Sequence, residues 1–249
     1  MNQSERNGYR KSSYGDYHTI ERDAAGVDQA TGSRIFVNRV YNWMFCGLML
    51  STIAAFAATH ISQKVFMTVY NLRLPLIIAE LVLVIALSAA IRKISAPAAG
   101  VMFIAYSVLN GLTLSPIFLV YTSTSIGLAF GSCAVMFLAT STFGYMTGMR
   151  LDTVGSYCFM GLVGLVIASL VNLFLHSEML DYILSYVGIA VFVGLTAWDT
   201  QKVRMIGEEA GEEAQSDDMR KVAIIFALNL YLDFINLFLM LLRIFGRRR

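Results

Sequence analysis

Residues 228–239, Leu-Asn-Leu-Tyr-Leu-Asp-Phe-Ile-Asn-Leu-Phe-Leu, set one carboxylate, Asp233, into a run that is otherwise apolar or amide-bearing. The apolar run extends from about residue 222 to 245, the roughly 20 residues that a helix needs to cross a bilayer. An ionisable group near the middle of such a helix is costly, so it marks either an interior contact or a functional site. Asn229, Asp233 and Asn236 recur at i, i+4 and i+7 and therefore share one face. That polar stripe must point into a bundle. It serves there as interhelical hydrogen-bond glue or as a titrating, ion-contacting site.

Six more apolar runs precede this one, at about 40–59, 74–91, 98–121, 125–147, 155–175 and 179–201, each near the length of a span. The chain has 249 residues, 57% hydrophobic and 14% charged, against about 25% charged in soluble domains. Lipid cannot satisfy free backbone groups, and the alternation of barrel strands is absent, so the runs read as helices. The fold class is an all-α membrane protein, a bundle of seven transmembrane helices over residues 36–249. Residues 1–35 are polar and cannot bury a core, which predicts a disordered cytoplasmic tail. No early apolar segment in it resembles a signal peptide.

Lys and Arg fix the expected orientation. Thirteen of them fall on the face shared by the tail and by the loops after the second, fourth and sixth spans, against six on the other face. The N-terminus is therefore expected in the cytoplasm. Arg247, Arg248 and Arg249 pull the other way, and a re-entrant last helix would bring them back inside. The loop after the sixth span carries Glu208, Glu209, Glu212, Glu213, Asp217 and Asp218. It reads as a solvated acidic linker, or more sharply as a weak cation-concentrating patch. The pairs Gly127/Gly131 and Gly144/Gly148 permit close helix approach and read as packing within one chain.

Several function classes fall away. Nineteen Lys and Arg against seventeen Asp and Glu is too balanced for a nucleic-acid binder. Cys46, Cys133 and Cys158 form no CxxC pair and the three histidines do not cluster, so no metal site or cofactor is expected. HExxH, GxSxG and P-loop patterns are missing. The last span has no Lys for a retinal Schiff base. The chain is not expected to be an enzyme.

The other charges inside or at the ends of spans are Glu80, Arg92, Asp199, Arg243 and Asp181, the last at a helix start where the dipole explains it. The second and sixth spans run in the same direction, so Arg92 and Asp199 reach a comparable depth and can be drawn as an ion pair. Taken alone, Asp199 also reads as an interfacial charge.

The segments VFVGLTAWDTQKV (191–203) and LYLDFINLFLMLLRIFG (230–246) closely resemble the last two helices of the Bax inhibitor-1 family. LVLVIALSAAIRKIS (81–95) and LNGLTLSPIFLVYT (109–122) resemble its second and third helices, so the likeness runs over residues 35–249 and points to the bacterial, YbhL/YccA-like branch. The resemblance implies a bundle with the seventh helix central and a pH-sensitive calcium leak of the bacterial inner membrane. Its sensor would be Asp199 and Asp233, its latch Arg92, and Glu80 and Arg243 would match the family's membrane glutamate and last-helix arginine. Two carboxylates in one low-dielectric site cannot both ionise cheaply and titrate as a coupled pair. Acid would then release the latch and open the path to Ca²⁺. The implied partners are the lipid bilayer, Ca²⁺ and protons. Two other readings accompany it: a regulator of a membrane protease such as FtsH, acting through the tail and helix faces, and a proton-coupled cation exchanger.

Overall fold

The computed structural model describes residues 31–60, 66–211 and 213–247. Its helices are α1 (Gln3–His60, described from Thr31), α2 (Gln63–Asn71), α3 (Arg73–Ala90), α4 (Ala96–Leu114), α5 (Ile117–Val120), α6 (Ser123–Met146), α7 (Asp152–Leu175), α8 (Glu178–Ala210) and α9 (Asp217–Phe245). A 3₁₀ turn, Gly211–Gln215, joins α8 to α9. Seven of these segments are long and apolar enough to cross a membrane: Thr31–His60, α3, α4 continued through α5, α6, α7, α8 and α9. The expected disordered tail lies, up to residue 30, outside the described residues. Its last residues belong to α1, where Ser33 is already buried.

Local chemistry sets the helix ends. Pro97 opens α4, where the first N–H groups have no intrahelical partner. Thr122, Ser177 and Ser216 cap α6, α8 and α9 by accepting from the backbone N–H three residues on. Asn172 ties the α7–α8 turn, donating to the Ser177 carbonyl at 3.2 Å and accepting from its N–H at 3.1 Å. Between them His176 takes a φ of 50°.

The seventh span, α9, is the axis of the bundle. In its apolar stretch 61% of residues are buried, against 6% in α3. Helices α1, α4, α6 and α8 pack directly on it. Tyr231, Leu230 and Leu237 have no exposed surface. Phe103 and Tyr106 of α4 set their rings edge-on to Tyr231, and Phe137 of α6 does the same to Phe234. Two helices are peripheral: α7 packs on α8, and α3 packs on α4. Their outer faces present Phe159, Val163, Leu170, Ile78, Leu81 and Ile85, a surface suited to lipid and not to water.

Glycine sets the closest approaches. A Cβ on Gly144 of α6 would lie 2.3 Å from the Ala197 carbonyl oxygen of α8, and one on Gly111 of α4 would lie 2.3 Å from the Ser51 carbonyl oxygen of α1. The reading of both glycine pairs as packing within the chain is corrected here. Gly144 is used, but Gly127, Gly131 and Gly148 have nothing within 4 Å of an added Cβ.

The acidic linker is corrected too. The sixth span does not stop near residue 201. Val203, Gly207 and Ala210 keep a buried stripe at i, i+4 and i+7, which carries α8 on as a helix against the start of α1. Ala214 of the 3₁₀ turn is also buried, and Arg39 donates to its carbonyl at 2.7 Å. A Cβ on Gly32 would collide with the Gly211 carbonyl oxygen. Glu208, Glu209, Glu213, Asp217 and Asp218 remain exposed on the outside of this docked segment. The helix α9 is unbroken over Asp217–Phe245, so the re-entrant alternative falls. The end of α9 lies at the start of α6, where the Arg247 N–H donates to Ser125 Oγ at 2.9 Å.

Candidate functional site

Asp199 and Asp233 face each other across the α8–α9 contact. Both are buried, at 6% and 5% exposure, and the charge on Asp199 is felt at Asp233. Four positions fix this. Gly144 brings the α6 backbone against Ala197. Thr200 meets Ser141 of α6 at 3.2 Å and the Tyr41 hydroxyl of α1 at 3.5 Å. Gln201 reaches the α6–α7 loop, accepting from the Leu151 N–H at 2.8 Å and donating to the Met149 carbonyl at 2.7 Å. Arg204 donates to the Tyr145 carbonyl at 2.6 Å near the end of α6. The segment from Ala197 to Arg204 thus ties α8 to α6, to α1 and to the α6–α7 loop.

The cation on Asp199 is Lys202, one helical turn away, with Nζ 2.5 Å from Oδ1. The same ammonium lies 3.5 Å from the centroid of the Trp198 ring. Trp198 in turn points its Nε1 at Asp152 Oδ1, 3.4 Å away. The charge of Lys202 also reaches Asp233, which hydrogen-bonds with the Thr196 side chain. Asp233 Oδ2 is buried and has no hydrogen-bond partner among the described residues. An orphan acceptor of this kind, in a structure that satisfies nearly all others, calls for an explanation.

Arg92 does not take the place drawn for it. It is exposed in the turn after α3, and α3 packs on α4, away from α8. Helices of equal direction and depth are not thereby neighbours. A lysine on the same helix supplies the charge instead.

Glu80 belongs to a second polar network, in a different part of the bundle. It accepts from Asn110 Nδ2 at 3.0 Å and from the Thr113 hydroxyl. Asn110 Oδ1 accepts from the Tyr231 hydroxyl at 2.8 Å, and that hydroxyl meets Ser51 Oγ at 2.7 Å. One chain of bonds so joins α3, α4, α9 and α1. Interhelical hydrogen bonds in membranes average about 0.6 kcal/mol and reach about 1.7. Tyr231→Phe removes two of them and should cost about 1–2 kcal/mol, read as a lower unfolding midpoint in detergent. An unchanged midpoint would show that the network carries no stability.

The remaining expected residues are apart from the aspartates. Arg243 Nη1 lies 3.7 Å from Asp181 Oδ1 at the far end of α8, so Asp181 has an ionic partner as well as a helix-start position. Asn236 donates to the Leu232 carbonyl of its own helix at 2.8 Å, and Asn229 is half-buried. The polar stripe is therefore one functional candidate, Asp233, flanked by amides. Sequence reading passed over Lys202, Thr196, Gln201 and Tyr231. Lys202 was legible as an i, i+3 partner of Asp199. The roles of Thr196, Gln201 and Tyr231 depend on which helices touch. Among the described residues no three acidic, His or Cys side chains converge, so two carboxylates and a threonine hydroxyl are what this site offers a cation.

Comparison with known proteins agrees in extent with the described residues. A family model described as "Inhibitor of apoptosis-promoting Bax1" matches residues 33–249. The chain is 48% identical over 226 residues to inner membrane protein YbhL of Escherichia coli K12, covering 90% of this chain and 96% of that one. It is 40% identical to an uncharacterized protein of Borreliella burgdorferi, covering 86% and 92%. It is also 40% identical to an uncharacterized protein of Rickettsia prowazekii, covering 88% and 92%.

Proposed function

The chain belongs to the Bax inhibitor-1 family, and on that premise we propose that it is a pH-gated calcium leak in which Asp199 and Asp233 are the sensor. The observation that carries the reading is the buried carboxylate pair at the α8–α9 contact with a single ammonium on it. Asp199 holds Lys202 on α8, and with Asp233 of α9 ionised the same ammonium attracts it and draws the two helices together. Acidification puts protons on the carboxylates and removes the attraction, which shifts the population toward a separated, conducting arrangement. Oxygen ligands are those that Ca²⁺ prefers. No covalent step is involved, and the protein is read as a channel and not an enzyme.

The same reading sets the chain in a bacterial inner membrane with its N-terminus in the cytoplasm. The inner-membrane name of the Escherichia coli relative and the Lys and Arg bias support it. On this orientation Asp199 lies toward the cytoplasmic end of α8, and the Arg243–Asp181 pair lies at the outer face.

The test is calcium flux into proteoliposomes of the purified chain between about pH 6 and pH 8. Wild type should conduct faster as pH falls, and the double variant Asp199→Asn, Asp233→Asn should lose that dependence. The same dependence in the double variant would remove the aspartates from the gate. Flux that scales with an imposed proton gradient would favour the exchanger instead. One observation favours a regulatory role: Gly127 and Gly131 form an open small-residue face on α6, where a partner's helix could approach. No flux above empty liposomes would make that the working reading, with a membrane protease such as FtsH as the first partner to try.

A further inference from the structure

An open polar stripe runs along α1, at the end of that helix which meets the α8–α9 turn. Ile35, Asn38, Arg39, Asn42, Trp43 and Cys46 fall at i, i+3, i+4, i+7, i+8 and i+11 and line one groove of about 450 Å³. Trp43 closes it on the α4 side. Its ring lies over Gly100, where a Cβ would come within 2.9 Å, and sits edge-on to Phe103. The groove holds donors that lack acceptors. Among the described residues the Asn38 and Asn42 amides and the Trp43 indole N–H make no hydrogen bond. Arg39 gives one N–H to the Ala214 carbonyl at 2.7 Å, and no carboxylate among the described residues pairs with it. The charge felt at Arg39 is that of a second guanidinium, Arg220, near the start of α9. Two cations in reach of each other with no anion between them favour a negative ligand.

We propose that this groove binds an anionic phospholipid of the adjoining leaflet, with the phosphodiester on Arg39, Asn38 and Asn42 and the first acyl carbons along Trp43 and Cys46. Position selects a lipid over a soluble phosphate. Arg39 stands where the apolar part of α1 begins, and Cys46 lies about 10 Å deeper along the axis. The groove thus crosses the boundary between headgroups and hydrocarbon, the level at which tryptophan is favoured. Phe45 and Met49 are exposed on the same helix, as a lipid-facing surface requires. Charge selects an anionic headgroup over a zwitterionic one. No carboxylate lines the groove, so an ethanolamine or choline cation would have no partner there. A net negative headgroup instead relieves the repulsion between Arg39 and Arg220. The planar guanidinium and two amides offer a phosphodiester several hydrogen bonds, the former charge-assisted. Arg39 also holds the Ala214 carbonyl, so the bound lipid ties the turn between α8 and α9 to the membrane surface. Binding in the groove does not depend on the leak reading.

The experiment follows tryptophan fluorescence of the full chain in phosphatidylcholine vesicles that contain a small fraction of phosphatidylglycerol. Bromine on the upper acyl carbons of one lipid at a time quenches only the tryptophans that this lipid touches. The difference from Trp43→Phe separates Trp43 from Trp198, the second of the two tryptophans. Brominated phosphatidylglycerol should quench Trp43 with at least ~5-fold higher apparent affinity than brominated phosphatidylcholine. Arg39→Gln should bring the two lipids within ~2-fold of each other, and Asn42→Leu should weaken the preference with Arg39 in place. The control is Arg34→Gln, which removes an exposed charge from the same end of α1, outside the groove. It should keep the preference. Equal quenching by the two lipids in wild type overturns the proposal. Equal loss in Arg34→Gln and Arg39→Gln overturns it too, because diffuse attraction to the surface would then suffice. Soluble glycerol phosphate should leave the quenching unchanged, and relief by it would overturn the choice of a lipid. Where Arg39→Gln does not fold, the wild-type comparison and Asn42→Leu still decide.

Discussion

Asp233→Asn should conduct at nearly one rate from about pH 6 to pH 8, close to the wild-type rate at the acidic end. Asparagine has the shape of a protonated aspartate and cannot gain a charge, so the variant imitates the acid form at every pH. Asp233 is the member of the pair to change because it has no cation in contact, whereas Asp199 is held by Lys202. The sign follows from the geometry: Asp233 is the carboxylate of the pair on α9, so its charge is what the ammonium of α8 attracts across the contact, and removing it releases the two helices. An acid activation of at least ~10-fold in wild type, about one pH unit of titration, should fall below ~2-fold in the variant. The variant should also fold, since it removes a buried charge and leaves the Asp199–Lys202 pair whole. Full retention of the pH response would move the titrating group elsewhere, with Glu80 the next to replace.

Gly144→Leu should be among the most damaging substitutions in the bundle. The added Cβ lies 2.3 Å from a backbone oxygen and 2.9 Å from the Ala197 Cα, and backbone cannot swing aside as a side chain can. Overpacking costs about 1–3 kcal/mol and occasionally more, and here the two helices must separate before any leucine fits. The residue displaced with them is Asp199, two positions along α8, so flux and its pH dependence should fail along with stability. Gly131→Leu is the matched control on the same helix. It meets open space and should stay within about 0.5 kcal/mol of wild type. Unfolding midpoints in detergent, measured side by side, decide it. Equal loss in both variants would mean that the Gly127/Gly131 face is covered, by a second copy or another chain.

The sequence made some of this plain and concealed the rest for definable reasons. A carboxylate inside an apolar run is visible without any structure, because the bilayer makes it expensive wherever it lies; Asp233 and Glu80 were both found this way. The centrality of α9 was implied by the family resemblance, while its polar stripe pointed only to an interior face. The continuation of α8 to Ala210 was missed because hydropathy ends near residue 201, while the buried positions Val203, Gly207 and Ala210 carry on at helical spacing among charged neighbours. Arg92 was assigned to Asp199 on direction and depth, and these leave the order of helices around the axis open. The Glu80 network was out of reach for the same reason, since its members come from four helices.

The clamp between the start of α1 and the turn joining α8 to α9 also bears on how the molecule is assembled. Gly32 and Ser33, at the beginning of the described chain, find their contacts at Gly211 and Gly207, which leave the ribosome long after them. The axial helix follows later still. Six spans therefore enter the bilayer around a vacant centre, with Phe103, Phe137 and Ser51 waiting for the rings and hydroxyl of α9. Contacts so distant in sequence form slowly and late. A chain interrupted before residue 217 would hold every peripheral helix and have no core for them to close upon.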